Sequence, residues 1–241
     1  MKIFINNRNW LTWPSGMAKK FAEEGHEVIF IDNASTYEPL LDYYSTCGHQ
    51  VLRMPNYGNV CAWTANIVTG LDEFYVVTDP DYDLSEVPHD WEPVLMDGFR
   101  QFPHLNKMGI SWDESRVPPE NPAFYIDNMY LYPQGNPIAW GNILPNNWYN
   151  YANDTSFAIY RPHRPFRIDG IRKGRPYTGM HMPWHIVLED KPSSRPGAII
   201  VPFNDEIEYY FDHVENSSFT AGRLAGMLAD YKKRKANATR I

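Results

Sequence analysis

Apolar residues along this chain follow two rhythms. Residues 2–6 and 27–31 are short apolar runs that read as strands, the second β-branched and ending in Asp32. Between them, residues 15–24 repeat at helical spacing, with Met17, Phe21 and Ala22 on one side and Gly25 as the stop. Strand, helix and strand in that order make a βαβ unit.

The alternation continues. Residues 37–45 predict a helix behind a Ser35-Thr36 capping turn, with Pro39 tolerated in its first turn. A third strand is expected over 51–54 and a helix over 62–71. Residues 73–78 form the clearest buried strand, which runs straight into Asp79-Pro80-Asp81-Tyr82-Asp83. Beyond it, 91–102 read as a helix, and 107–112, 156–160 and 198–201 as strands. A last amphipathic helix spans about 217–233, with Leu224, Leu228 and Tyr231 on its apolar side. Residues 116–151, crowded with Pro, Asn, Gly and aromatics, show only weak periodicity. Alternating strands and helices predict an α/β fold with a mostly parallel central sheet flanked by helices. The 241 residues suit a single domain.

Charge and composition narrow the function. A formal net charge of −7 argues against a broad nucleic-acid surface, since phosphate binding needs clustered Lys and Arg, but it leaves room for a local phosphate pocket. The 8 Trp, 16 Tyr and 12 Phe could line a sugar site, although large rings mostly fill cores. Cys47 and Cys61 are too few for a disulfide scaffold and lack metal-ligand spacing, so they read as structural thiols in a reducing compartment. No stretch is apolar enough for a signal peptide or a transmembrane span, which makes a cytoplasmic protein the expectation. Lys232, Lys233, Arg234 and Lys235 end the last helix, where cations suit the helix dipole and water; peripheral contact with an anionic membrane is the alternative.

The candidate chemistry gathers at strand ends. Asp79, Asp81 and Asp83 follow a buried strand, the place where open α/β sheets bind ligands. Carboxylates two residues apart can share one hard cation, and Mg²⁺ or Mn²⁺ takes carboxylate and phosphate oxygens together. Asp32 ends a second strand on the same expected sheet edge, where an acidic group can bind a nucleotide's ribose or base; a simple Asx turn at Asp32-Asn33 is the other reading.

These segments, in this order, resemble the GT-A glycosyltransferases. The likeness rests on Asn6-Asn7-Arg8-Asn9 after the first strand, Asp32-Asn33-Ala34-Ser35-Thr36-Tyr37-Glu38-Pro39 after the second, and Thr78-Asp79-Pro80-Asp81. Lys107-Met108-Gly109-Ile110-Ser111, Asn153-Asp154-Thr155-Ser156, Gly170-Ile171-Arg172 and Pro176 to Trp184 extend it, so that residues 1–190 are covered. The resemblance implies a Rossmann-like GT-A domain over 1–190, with a nucleotide-sugar half at 1–112 and an acceptor half at 113–190. Residues 191–241 form an extension in the same globule.

By the same resemblance, Asn7, Arg8, Asp32, Asn33, Asp79 and Arg172 hold a nucleotide-sugar, taken to be a UDP-sugar. Asp79, Asp81 and His181 hold Mn²⁺ or Mg²⁺, and Asp154 is the base that takes the proton from an acceptor hydroxyl on a glycan or other molecule. Residue by residue, two readings stay open: Asp154 can cap a turn before the following strand, and Arg172, Lys173 and Arg175 can be a solvated basic loop or can neutralise a diphosphate. His185 could face the same way as His181 in a helix, which Pro183 opposes. Tyr130, Trp140 and Trp148 are candidate acceptor platforms. Rival classes are a nucleotidyltransferase acting on sugar phosphates and a non-catalytic carbohydrate-binding module.

Overall fold

The computed structural model describes residues 1–121, 143–150, 153–187, 193–213 and 219–238, without the side chains of 219–223. It divides into two compact units, Met1–Trp112 with Pro137–Met180, and Asp113–Asn136 with His181–Ile241.

The first unit is built on alternation within its strands. In β1 (Lys2–Asn7), Ile3 and Ile5 face one apolar cluster and Phe4 the other; in β2 (Glu27–Asn33), Val28 and Phe30 oppose Ile29 and Ile31. Side chains alternate between the faces of a strand, so an unbroken apolar run means that both faces are covered. One cover comes from α1 (Thr12–Glu23), α2 (Glu38–Thr46) and α4 (Trp91–Gln101), through Met17, Phe21, Leu40, Tyr44, Trp91, Leu95 and Phe99. The opposite cover includes α3 (Cys61–Thr64), through Cys61, Ala62 and Trp63.

Local chemistry sets the ends of these helices. Gly25, at φ 83°, stops α1: its amide bonds the Ala22 carbonyl while His26 N reaches Phe21 O, the paired closure of a left-handed helix cap. The expected helix over 62–71 ends early for the same reason. Asn66 takes φ 55°, its amide bonds Trp63 O and Ile67 N bonds Ala62 O, so the chain turns out of the helix after one turn.

The remaining strands are β3 (Gln50–Met54), β4 (Tyr75–Thr78), β5 (Tyr82–Asp83), β6 (Lys107–Trp112), β7 (Ile143–Leu144), β8 (Trp148–Asn150), β9 (Ala158–Tyr160) and β10 (Ile171–His181). Among the described residues they form one sheet in the order β3-β2-β1-β4-β9-β6-β10-β8-β7, with β5 on β10. β1 to β4 are parallel along the sheet, and β6 pairs in parallel with β10; β9 runs antiparallel between β4 and β6, and β8 antiparallel to β10. The sheet is therefore mixed but mostly parallel, with helices on its faces.

Two expectations are corrected here. Arg172 is not on a solvated loop: it lies in β10 and is 2% exposed. The strand was hidden because its register shifts between Lys173 and Thr178 and its sequence mixes Gly174 and Pro176 with cations. Trp148 is no acceptor platform. It is fully buried in the core beside Gly98, where an added Cβ would lie 2.6 Å from its ring. Trp148→Ala is expected to destabilise the first unit by about 3–5 kcal/mol, read as a lowered midpoint in denaturant. Tyr130 and Trp140 lie outside the described residues.

In the second unit, β11 (Ile186–Val187) pairs in parallel with β12 (Val201–Pro202), followed by α5 (Asp205–His213) and α6 (Phe219–Ala238). The α6 helix matches the last amphipathic pattern, with Leu224 buried and Tyr231 stacked on Phe203 at 5.3 Å. Within the basic run, Lys232 pairs with Asp212 at 2.5 Å and Lys235 with Asp205 and Glu208 at 2.8 and 2.7 Å, so both cations clamp α6 to α5. Among the described residues no helix is long and apolar enough to cross a membrane.

Burial pushes the Glu114 carboxyl of this unit up to about 8; Arg195 pulls it down and Asp113 adds to the rise. A folded-state value above the ordinary 4.5 means that the unfolded chain releases its proton first as pH rises. Stability should therefore fall between about pH 4.5 and 8. Glu114→Gln should flatten that slope and melt above the parent at pH 8, as paired melting curves would show.

Candidate active site at the carboxyl edge of the sheet

From β1 the chain lays β2 and β3 to one side and then places β4 on the other. Strand order reverses between β1 and β4, and the crevice beyond their carboxyl ends is where a sheet of this kind takes a ligand. Parallel register sets Asn7 beside Asp32, and Ile5 beside Thr78, so the residues that follow these strands emerge on one edge.

On the β1–β2 side the polar residues are tied into scaffolding. Asn7 is fully buried, with its amide hydrogens on Trp10 O at 2.8 Å and the Tyr44 hydroxyl at 2.9 Å. Asn9, at φ 61°, accepts from the amides of Thr36 and Tyr37 at 2.7 and 3.1 Å. The entry to α2 is thus held across the sheet edge by Asn9, whose own amide donates to Ser35 Oγ at 3.0 Å. Asp32 accepts from Ser35 N at 3.1 Å, the Asx-turn reading, and sits 3.7 Å from Arg53. Asn33 and Asn6 draw in the loop after β3. Asn33 accepts from Tyr57 N at 2.7 Å and donates to Gly58 O at 2.9 Å, and Asn6 donates to Asn59 O at 2.9 Å. Arg8 is half-buried at the end of β1.

Beyond β4 the carboxylates gather. Asp79 Oδ2 accepts the Thr155 hydroxyl at 2.6 Å, which joins the end of β4 to the segment leading into β9. Asp154, the residue before Thr155, is half-exposed and lies 3.8 Å from the buried Arg172 guanidinium. Its Oδ1 also accepts Ser156 N at 3.2 Å, so the turn-cap reading and a chemical role coexist. Arg172 is fixed from behind by a 3.0 Å bond to Ile110 O and by the Trp112 face at 4.2 Å.

Tyr82, on β5, is buried among these elements. Its phenol is fully buried and held far above the usual tyrosine range, first by burial and then by the carboxylates of Asp154, Asp79 and Asp81. It stays a neutral hydroxyl and accepts Trp112 Nε1 at 3.1 Å. Asp83 instead caps a local turn through Ser85 N at 2.9 Å. Sequence reasoning missed Thr155, Tyr82 and Lys107. The visible hint was a lysine opening an otherwise apolar strand.

Asp79 and Asp81 carry the carboxylate oxygens that hard cations take. Together with Asp154 they concentrate negative charge that Arg172 balances in part. Mg²⁺ in particular commonly takes one or two protein carboxylates and completes its shell with phosphate oxygens and water. Among the described residues no three His, Cys, Asp or Glu side chains converge as a ready-made cage. His181 closes β10 and is counted with the second unit, its ring edge-on to Trp184 at 4.7 Å. His185 is fully buried there, and its Nδ1 donates to Ile199 O at 3.0 Å.

No family model matches the chain, and no curated protein matches its sequence. Two solved structures are similar in fold. One is glucosyl-3-phosphoglycerate synthase from Mycobacterium tuberculosis in complex with Mn²⁺, UDP and glucosyl-3-phosphoglycerate: TM-score 0.41 and 13% identity, over 66% of this chain and 56% of that one. The other is S. aureus TarS 1–349, with a TM-score of 0.36 and 15% identity over 66% of this chain and 46% of that one. The chain thus spans about half the length of each structure it matches.

Proposed function

We propose that the first unit is the catalytic unit of a GT-A-type glycosyltransferase, which moves a sugar from a nucleotide-sugar, a UDP-sugar on this reading, to an acceptor hydroxyl. The observation that carries this reading is Asp79 at the end of β4, bonded to Thr155, with Asp154 preceding Thr155 and lying 3.8 Å from the buried Arg172, beside the strand-order reversal. A nucleotide-binding crevice, carboxylates suited to a cation and a base held next to them are the parts such a transfer needs.

In this scheme the acceptor oxygen bonds to the anomeric carbon as that carbon's bond to the diphosphate breaks, and the acceptor proton passes to Asp154. Arg172 orients Asp154 and offsets its charge. Thr155 holds Asp79 in place, while Asp79 and Asp81 would carry Mn²⁺ or Mg²⁺. The cation supplies charge stabilisation for the departing nucleoside diphosphate.

A ligand that binds only the folded state at 100 times its Kd stabilises it by about 2.7 kcal/mol, so UDP with Mn²⁺ should raise the melting temperature measurably. Asp81→Asn is expected to abolish the Mn²⁺-dependent part of that rise. A shift that ignores both chelator and Asp81 would instead favour a binding module without chemistry.

A further inference from the structure

Lys107 is the strangest residue of the first unit. It opens β6 opposite Tyr160, is 1% exposed, and its side chain runs beneath the segment that carries Asp154 and Thr155. Its Nζ donates to the Asp154 carbonyl at 2.9 Å, and the Tyr160 hydroxyl donates to the same oxygen at 3.2 Å. The Phe166 and Tyr160 rings face the amine at 4.8 and 5.2 Å. Gly170 leaves room for the chain, since a Cβ there would meet Lys107 Cγ at 3.0 Å.

We propose that Lys107 is a positioning residue for the transfer reaction: by pinning the Asp154 carbonyl it keeps the Asp154 carboxylate beside Arg172 and the Thr155 hydroxyl on Asp79. The assignment rests on the proposed function and deepens it. One buried amine thereby sets the place of both the base and the residue that steadies a cation-binding carboxylate. A buried amine is a poor choice for stability alone, because an apolar side chain of the same length would fill the space without desolvating a charge. What the amine adds is a donor at one main-chain oxygen.

The electrostatic surroundings fit a working amine. Burial pushes it down to about 7, Arg172 adds to that fall, and the carboxylates of Asp154, Asp169 and Asp79 pull it back up. Its bond to Asp154 is therefore charge-assisted below about pH 7 and weaker above it.

The test is a double-mutant cycle on the full chain, reading UDP release from UDP-glucose, UDP-galactose and UDP-N-acetylglucosamine with Mn²⁺. Lys107→Met should lower kcat about 10²-fold with the donor KM unchanged, the scale of loss expected from a misplaced catalytic group. Most of that loss should be absent in an Asp154→Asn background, where only the hold on Thr155 and Asp79 remains. Independent, multiplying losses, or a rise in KM with kcat intact, would overturn the assignment. Should Lys107→Met fail to fold, the Lys107 side-chain carbon resonance can be titrated in the parent and in Asp154→Asn. Its midpoint should fall when the Asp154 charge is removed, and an unmoved midpoint would overturn the proposal. A parent that releases no UDP and shows no Mn²⁺-dependent thermal shift would sink the proposed function itself, and this assignment with it.

Discussion

Asp154→Asn should lower sugar transfer about 10²- to 10⁴-fold while the protein still binds donor and cation and melts near the parent temperature. The reasons lie in how Asp154 is held. Its backbone carbonyl takes bonds from Lys107 and Tyr160, and its Oδ1 takes the Ser156 amide, and an asparagine keeps all three. The carboxylate is half-exposed and 3.8 Å from Arg172, so the lost ion pair is worth less than about 1 kcal/mol. What disappears is a group able to accept a proton. Initial rates of UDP release, set beside UDP and Mn²⁺ thermal shifts for the same variant, separate the two effects. Undiminished turnover in Asp154→Asn would move the base elsewhere and remove the centre of the proposed mechanism.

Gly109→Ala should be the most damaging single methyl in the first unit. Gly109 lies in β6 between Ala158 and Arg172 on the flanking strands. A Cβ there would stand 1.9 Å from Asn153 Nδ2 and 3.2 Å from the Phe157 carbonyl oxygen. Asn153 cannot swing aside easily: it is fully buried, its Oδ1 accepts the Ser156 hydroxyl at 2.8 Å, and its main-chain N–H holds the backbone to Ile168 O at 2.8 Å. Overpacking of this kind costs about 3 kcal/mol, or roughly 6–12 °C in melting temperature for a unit of this size. Because Asn153 precedes Asp154, turnover should fall as well. Gly16→Ala is the matched control. Nothing lies within 4 Å of its added Cβ and it sits inside α1, so it should stabilise by about 0.5–1 kcal/mol. If both variants melt alike, the close packing at Gly109 is not what holds this edge of the sheet.

The sequence was most readable where one element is covered on both faces. β1, β2, β4, β6 and β9 stood out because two-sided burial demands a largely apolar run. The acidic strand ends at Asp32 and Asp79 were visible for a related reason: a carboxylate directly after such a run marks the edge where a parallel sheet meets solvent. Apart from α5, a helix of 9 residues that the sequence analysis leaves unassigned, the elements that escaped notice were short, or irregular in register. β5, β7 and β8 span two or three residues each, and β10 breaks register midway. The helix over 62–71 was overextended because an asparagine in a left-handed turn gives no warning in an apolar pattern.

By itself, then, the sequence determined the α/β class, the order of the first strands and helices, and the acidic residues at the strand ends, since all of these follow from local periodicity. Only the tertiary structure decided how those residues are used. It set Asn7, Asn9 and Asn33 as ties between loops, buried Arg172 behind Asp154, hung Thr155 on Asp79 and ran Lys107 beneath both. Apart from the Arg172–Asp154 pair, these contacts join residues 24 to 76 positions apart. A window of neighbouring residues carries no trace of them, because their geometry is fixed by which strands lie side by side.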